Sequence, residues 1–185
     1  YNVSPDLACF GKALGNGIPI SVVLGNKDIM KVFEDIFFSF TFGGDALGMT
    51  AAMTVLNIIK KEPVISHIEE IGNNLNTGIE DIIMDLNLKD YVTYMGYPGR
   101  SSFFFKGDNH NGLLIKSIFQ QESISKGILA AGWHAPSYAH TKKDIDKTLC
   151  VYRHVFELIT KELREDKLES LLKGKIVKPV FRKMK

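Results

Sequence analysis

Pro5-Asp6-Leu7-Ala8-Cys9-Phe10-Gly11-Lys12-Ala13-Leu14-Gly15-Asn16-Gly17-Ile18-Pro19-Ile20 is the stretch on which the reading of this chain turns. It is mostly apolar and punctuated by glycine. Lys12 is its one cation, and no other lysine or arginine occurs from Tyr1 to Asn26. An amine held in apolar surroundings favours its neutral, nucleophilic form over the ammonium. Lysines of that kind form Schiff bases with carbonyl compounds. The plainer alternative is a lysine whose stem lies on apolar surface while its head reaches water. The flanks suggest how it is displayed. Ser4-Pro5 disfavours helix, so Asp6–Phe10 reads as strand or turn. Gly15, Asn16 and Gly17 read as a tight turn with positive φ. The β-branched run from Pro19 to Gly25 reads as a buried strand returning behind the lysine.

Composition bounds the answer. The 185 residues are enough for one ordinary domain with a real core. Hydrophobic residues make up 45% and charged residues 24%, as in a water-soluble globular protein. A net charge of +2 argues against a nucleic-acid surface spread over the whole domain. Cys9 and Cys150 are far apart in sequence, which suggests no disulfide framework, a reducing cytoplasmic setting and two small buried hydrophobes. No stretch is long and apolar enough to cross a bilayer, and the N-terminus does not read as a signal peptide.

Two further stretches join the first. Residues 38–56 read FSFTFGGDALGMTAAMTVL, and residues 139–146 read AHTKKDID. With residues 5–25 they resemble, in order and spacing, the class III aminotransferases, within fold type I of the enzymes that use pyridoxal 5'-phosphate (PLP). The spelling TFGGD is most similar to the branch around glutamate-1-semialdehyde 2,1-aminomutase. The resemblance implies an α/β fold, the C-terminal portion of a fold type I PLP-dependent transferase. It implies the end of a PLP-binding large domain over residues 1–62 and a bridging helix over 63–87. A small C-terminal α+β domain over 88–165 and a basic tail over 166–185 follow. It puts Lys12 on the position that carries PLP as a Schiff base. Thr41 falls where the family uses a threonine to hold the cofactor phosphate of the neighbouring subunit, so a homodimer with shared active sites is implied. The expected activity is amino-group transfer on a small-molecule amine or carbonyl compound, as aminotransferase or aminomutase, with no nucleic-acid or membrane partner. In the family the lysine lies well past the middle of a longer chain. The acidic partner of the pyridine nitrogen, the ring-stacking aromatic and the main phosphate-binding turn lie upstream of it. That leaves a second reading, a catalytically silent dimerisation or interaction fragment of such an enzyme.

The rest of the chain reads element by element. Asn26–Asp35 is a short helix capped by Asn26 or Asp28. Phe37–Phe42 is an aromatic run, read as core or interface. Gly43-Gly44 suits close backbone approach, and Asp45 caps a helix whose Ala46, Met49, Ala52, Met53, Leu56 and Ile59 face the core. Pro63 opens a long amphipathic helix through Ile65, Ile68, Ile71, Leu75, Ile79, Ile82 and Leu86, with Glu69, Glu70, Glu80 and Asp81 in water. Residues 88–111 read as strands around a Tyr97-Pro98-Gly99 turn. Arg100 is a candidate for a substrate carboxylate or an ordinary exposed turn arginine. Residues 107–112 read as a polar loop in which His110 has no second metal ligand at useful spacing. Leu113–Ala131 is a helix ended by Gly132. Trp133, His134, Tyr138 and His140 form a polar–aromatic cluster, near a substrate entrance or simply packed locally. Thr141 and Asp144 have capping-box spacing ahead of a last helix over Lys142–Leu163. Gly174–Lys185 is a basic, solvated end. No metal constellation and no Ser-His-Asp set emerges.

Overall fold

The computed structural model describes residues 3–107 and 109–178, and the side chains of Asn109 and His110 lie outside that description. So do the His110 expectation and the last part of the basic tail, residues 179–185. The chain divides into two compact units, Tyr1–Val64 and Ile65–Lys185.

In the first unit, β1 (Leu7–Phe10) pairs antiparallel with β2 (Val22–Gly25), Phe10 opposite Val22 and Leu7 opposite Gly25. The connection carries a 3₁₀ turn at Lys12–Leu14. Asn16 and Gly17 adopt positive φ as expected, at 45° and 111°. Gly15 does not: its φ is −97°. It is required for space instead, because a Cβ there would lie 2.1 Å from the Ile18 carbonyl oxygen and 2.7 Å from Ile20 Cγ2. Lys12 is left-handed as well, with φ 49°. β2 is not the buried strand its sequence suggests; Leu24 is exposed and the valines are half-buried. A short helix α1 (Lys27–Met30) follows, with the Asn26 side chain accepting the Asp28 N–H at 2.8 Å, and a 3₁₀ turn continues it to Glu34.

The aromatic run forms no strand; Phe37, Phe38, Phe40 and Phe42 are all exposed within the chain. Phe38 stacks edge-on against Phe33 and Phe40 at 4.5 and 4.7 Å. Helix α2 (Ala46–Lys61) starts at Asp45, whose carboxylate accepts the Gly48 N–H at 2.7 Å. Periodicity finds this helix but misplaces its buried face. Gly48 and Ala52 are buried, whereas Met49 and Met53 are exposed. The small residues let α2 lie close to the lysine loop; a Cβ on Gly48 would lie 3.2 Å from the Pro19 carbonyl oxygen and 3.5 Å from Ile20 Cβ.

The second unit starts along α3 (Val64–Asp85). Its stripe Ile71, Leu75, Ile79, Ile82 is buried as the spacing predicts, whereas Ile65, at the head of that stripe, is exposed. The sheet is antiparallel with order β3-β4-β5: β3 (Val92–Tyr97), β4 (Arg100–Phe105) and β5 (Trp133–His134). Tyr97 pairs with Arg100 across the Pro98-Gly99 turn, and Ser101 pairs with His134. Alternation turns Val92, Tyr94, Ser101 and Phe103 inward. Helix α4 spans Asn109–Ser125, so it begins inside the stretch read as a loop and stops well short of Gly132. Gly127, at φ 83°, closes it: the Gly127 N–H meets the Ile124 carbonyl at 2.9 Å and the Ile128 N–H meets Ser123 at 3.0 Å. Helix α5 (Lys142–Arg164) has the expected cap, with the Asp144 carboxylate accepting both the backbone N–H (2.8 Å) and hydroxyl (2.6 Å) of Thr141.

The core lies in this second unit. Ile79, Ile115, Ile118, Phe119, Val155, Phe156 and Ile159 are fully buried, each contributing roughly 1.5–3 kcal/mol relative to exposure. Phe103 sits at the centre of a ring cluster with Phe119, Tyr152 and Phe156. The start of the basic tail also packs here. A 3₁₀ turn at Leu168–Leu171 buries Leu168, and Ile176 rests on the core rather than in solvent. Gln121 donates to the Leu171 carbonyl at 2.9 Å and accepts the Lys173 N–H at 2.8 Å, while Ser117 Oγ accepts the Val177 N–H at 2.9 Å. Both cysteines are exposed, contrary to expectation.

Candidate functional site

The β1–β2 hairpin presents Lys12 at the point where the chain leaves β1. Lys12 is exposed, so the apolar burial suggested by its neighbours in sequence is not realised within this chain. Among the described residues its amine makes no hydrogen bond or ion pair. An open cavity of about 420 Å³ lies along Lys12, Asn16, Gly17 and Ile18–Ile20. Thr41 is exposed on a turn in the same unit, just before the Asp45 cap. Gly43 is tight there, since a Cβ would meet the Phe40 carbonyl oxygen at 3.2 Å, whereas Gly44 has open space around it. The donor set is a free primary amine beside open space and a free hydroxyl on a turn ahead of a helix. It suits an aldehyde that also carries a phosphate.

The second unit holds a polar network that sequence reading saw only in outline. Tyr94 donates its hydroxyl hydrogen to Asn76 Oδ1 at 2.8 Å and is also bonded to Ser101 Oγ. His134 Nδ1 lies 3.2 Å from the Tyr94 oxygen, and His134 Nε2 lies 2.8 Å from the Tyr152 hydroxyl. Because the Tyr94 hydrogen is directed at Asn76, Nδ1 carries the ring proton and Nε2 accepts from Tyr152. Burial lowers the His134 pKa to about 4 and raises that of Tyr94 to about 12, so both are neutral near pH 7. Burial raises that of Tyr152 as well. Of the remaining candidates, Arg100 stacks on Trp133 at 4.0 Å from the ring centroid. His140 Nδ1 accepts the Ser137 N–H at 3.0 Å, and its carbonyl lies 2.8 Å from His67 Nε2. His67, given no role by its sequence position, also meets the Tyr138 ring. Among the described residues, no group of three or more His, Cys, Asp or Glu is placed to hold a metal ion. No described helix is long and apolar enough to cross a membrane.

Residues 1–149 match the family described as aminotransferase class-III. The chain belongs to the class III aminotransferases. It is 29% identical over 181 residues to a glutamate-1-semialdehyde 2,1-aminomutase of Methylacidiphilum infernorum, covering 87% of this chain and 40% of that one. It is 31% identical over 163 residues to ornithine aminotransferase 2 of Staphylococcus aureus, covering 84% of this chain and 38% of that one. Among solved structures it is similar to the PLP internal aldimine form of the FumI protein of Sphingopyxis sp. MTA144. There the TM-score is 0.77 at 26% identity, over 88% of this chain and 39% of that chain. The chain therefore spans about 40% of the length of the relatives it matches. The family, its aminomutase-like relatives and the α/β class as part of a fold type I transferase are as the three sequence stretches imply.

Proposed function

We propose that this class III aminotransferase chain serves PLP-dependent amino-group transfer, with Lys12 holding PLP through a Schiff base. The observation that carries the reading is the unpartnered Lys12 amine, at the end of β1 and beside an open cavity, inside the region that matches the family. When bound, PLP supplies an electron sink for the pair left on the substrate carbon. Lys12 Nζ would hold the cofactor and, when not bonded to it, would lift the proton from the substrate carbon and give it back, as general base and then general acid. The Thr41 hydroxyl would donate to the cofactor phosphate of a neighbouring copy, so that the active form would be a homodimer. The transfer runs between two small molecules or within one. Glutamate-1-semialdehyde is the substrate that the branch suggests, and the compartment is the cytoplasm. Residues 1–62 act as the end of the cofactor domain, 63–87 as the bridge and 88–165 as the small domain.

Turnover by the full-length protein tests this. Lys12→Ala is expected to abolish it, and unchanged turnover contradicts the reading. Thr41→Val is expected to weaken PLP binding by about tenfold, one charged hydrogen bond. A folded protein that binds no PLP would instead favour the silent interaction fragment.

A further inference from the structure

A second cavity, of about 540 Å³, lies wholly within the Ile65–Lys185 unit. Its size is that of a small-molecule site. One wall is apolar, formed by Leu75, Ile128 and Ile145, with Trp133 beside them. Its polar end is the His134–Tyr152 pair, already joined to each other at 2.8 Å and uncharged near pH 7.

The rim is different. Helix α5 supplies Asp144 and Lys147 three residues apart, so both lie along one face of the helix. The Asp144 carboxylate is bonded through Oδ2 to Thr141, with Oδ1 outside that cap. The Lys147 ammonium is exposed and has no ion pair among the described residues. Tyr152 lies five residues beyond Lys147, a rise of about 7.5 Å along the helix. An anion site and a cation site at the rim of an apolar cavity match one chemical class.

We propose that this cavity binds a free α-amino acid with an apolar or aromatic side chain. Lys147 takes the carboxylate, Asp144 takes the ammonium, and the side chain lies against Leu75, Ile128, Ile145 and Trp133. The site is independent of Lys12 and of any cofactor.

Trp133 lines this cavity, so the part of the full-length protein's fluorescence that Trp133→Phe removes reports on it. The test is titration with L-phenylalanine, phenethylamine (no carboxylate) and 3-phenylpropionate (no ammonium). L-Phenylalanine is expected to give a saturable change, and each truncated probe to bind about tenfold more weakly, the loss of one charged hydrogen bond. Lys147→Met, on the exposed face, is expected to remove the preference for L-phenylalanine over phenethylamine. The same titration in Lys12→Ala is expected to be unchanged, even if the amino-transfer reading fails. No saturable change in the folded chain, equal affinity for all three probes, or binding that survives Lys147→Met with its preference intact would each overturn the site. So would a response that Lys12→Ala abolishes.

Discussion

His134 shows what one buried side chain does to the whole. In the unfolded chain its ring titrates near 6.5; in the fold, burial brings the pKa down to about 4. Above pH 6.5 both states carry the neutral ring. Between 6.5 and about 4 only the unfolded chain takes up the proton, so stability falls as pH falls, by about 3 kcal/mol at the foot of that window. Denaturant melts at pH 7.5 and 4.5 check this: His134→Gln should lose that share of the pH dependence, and an unchanged slope contradicts the network. Tyr152→Phe should cost about 1–3 kcal/mol at pH 7.5 in the same melts, because Nε2 is left without its donor. The sequence shows Trp133, His134, Tyr138 and His140 as a polar cluster, but not what His134 touches. Its network reaches Asn76, Tyr94, Ser101 and Tyr152, on four different elements. Periodicity reports which face of an element is apolar and carries no register between elements. The exposure of Lys12 was hidden for the same reason: apolar neighbours in sequence do not make an apolar environment in space.

At the scale of elements, caps and spacings were legible where local chemistry decides. Asn26, Asp45 and the Thr141–Asp144 pair all cap as their types suggest. Asp45→Ala should loosen the start of α2 and cost about 1 kcal/mol by thermal unfolding. The long stripes of α3 and α5 were equally plain, because Ile71, Leu75, Ile79 and Ile82 of one and Ile145, Tyr152, Val155 and Ile159 of the other are all buried. α4 was legible as a helix but not at its start, since its first turn is built from Asn and Gly, which favour loops until tertiary contacts decide otherwise. α2 was misread in a different way. Ala52 on its periodic stripe is buried as read, beside Gly48, whereas Met49 and Met53 on the same stripe are exposed. Close approach also governs α3, where a Cβ on Gly72 would lie 2.1 Å from the Pro98 carbonyl oxygen. Gly72→Ala must push the β3–β4 turn off the helix, and the expected cost is about 1–3 kcal/mol. Unfolding of that variant at an unaltered denaturant midpoint would contradict the packing.

At the scale of the molecule, the two units differ in kind. Ile65–Lys185 has a closed aromatic and aliphatic core. Tyr1–Val64 leaves Phe37 at 94% exposure, Phe42 at 76% and Met53 at 64%. Surface of that kind is what a copy of the chain, or the rest of a longer protein, would cover. The homodimer proposal predicts that Phe37→Ser with Phe42→Ser shifts the full-length protein towards monomer in sedimentation. An unchanged dimer would remove this surface from the interface. The central claim is the chemistry of Lys12, and one experiment addresses it directly: borohydride reduction of the full-length protein with PLP, followed by peptide mapping. The account predicts a pyridoxyl group on the peptide that carries Lys12. A folded protein with PLP in excess and no adduct at Lys12 would contradict it and leave the silent fragment standing.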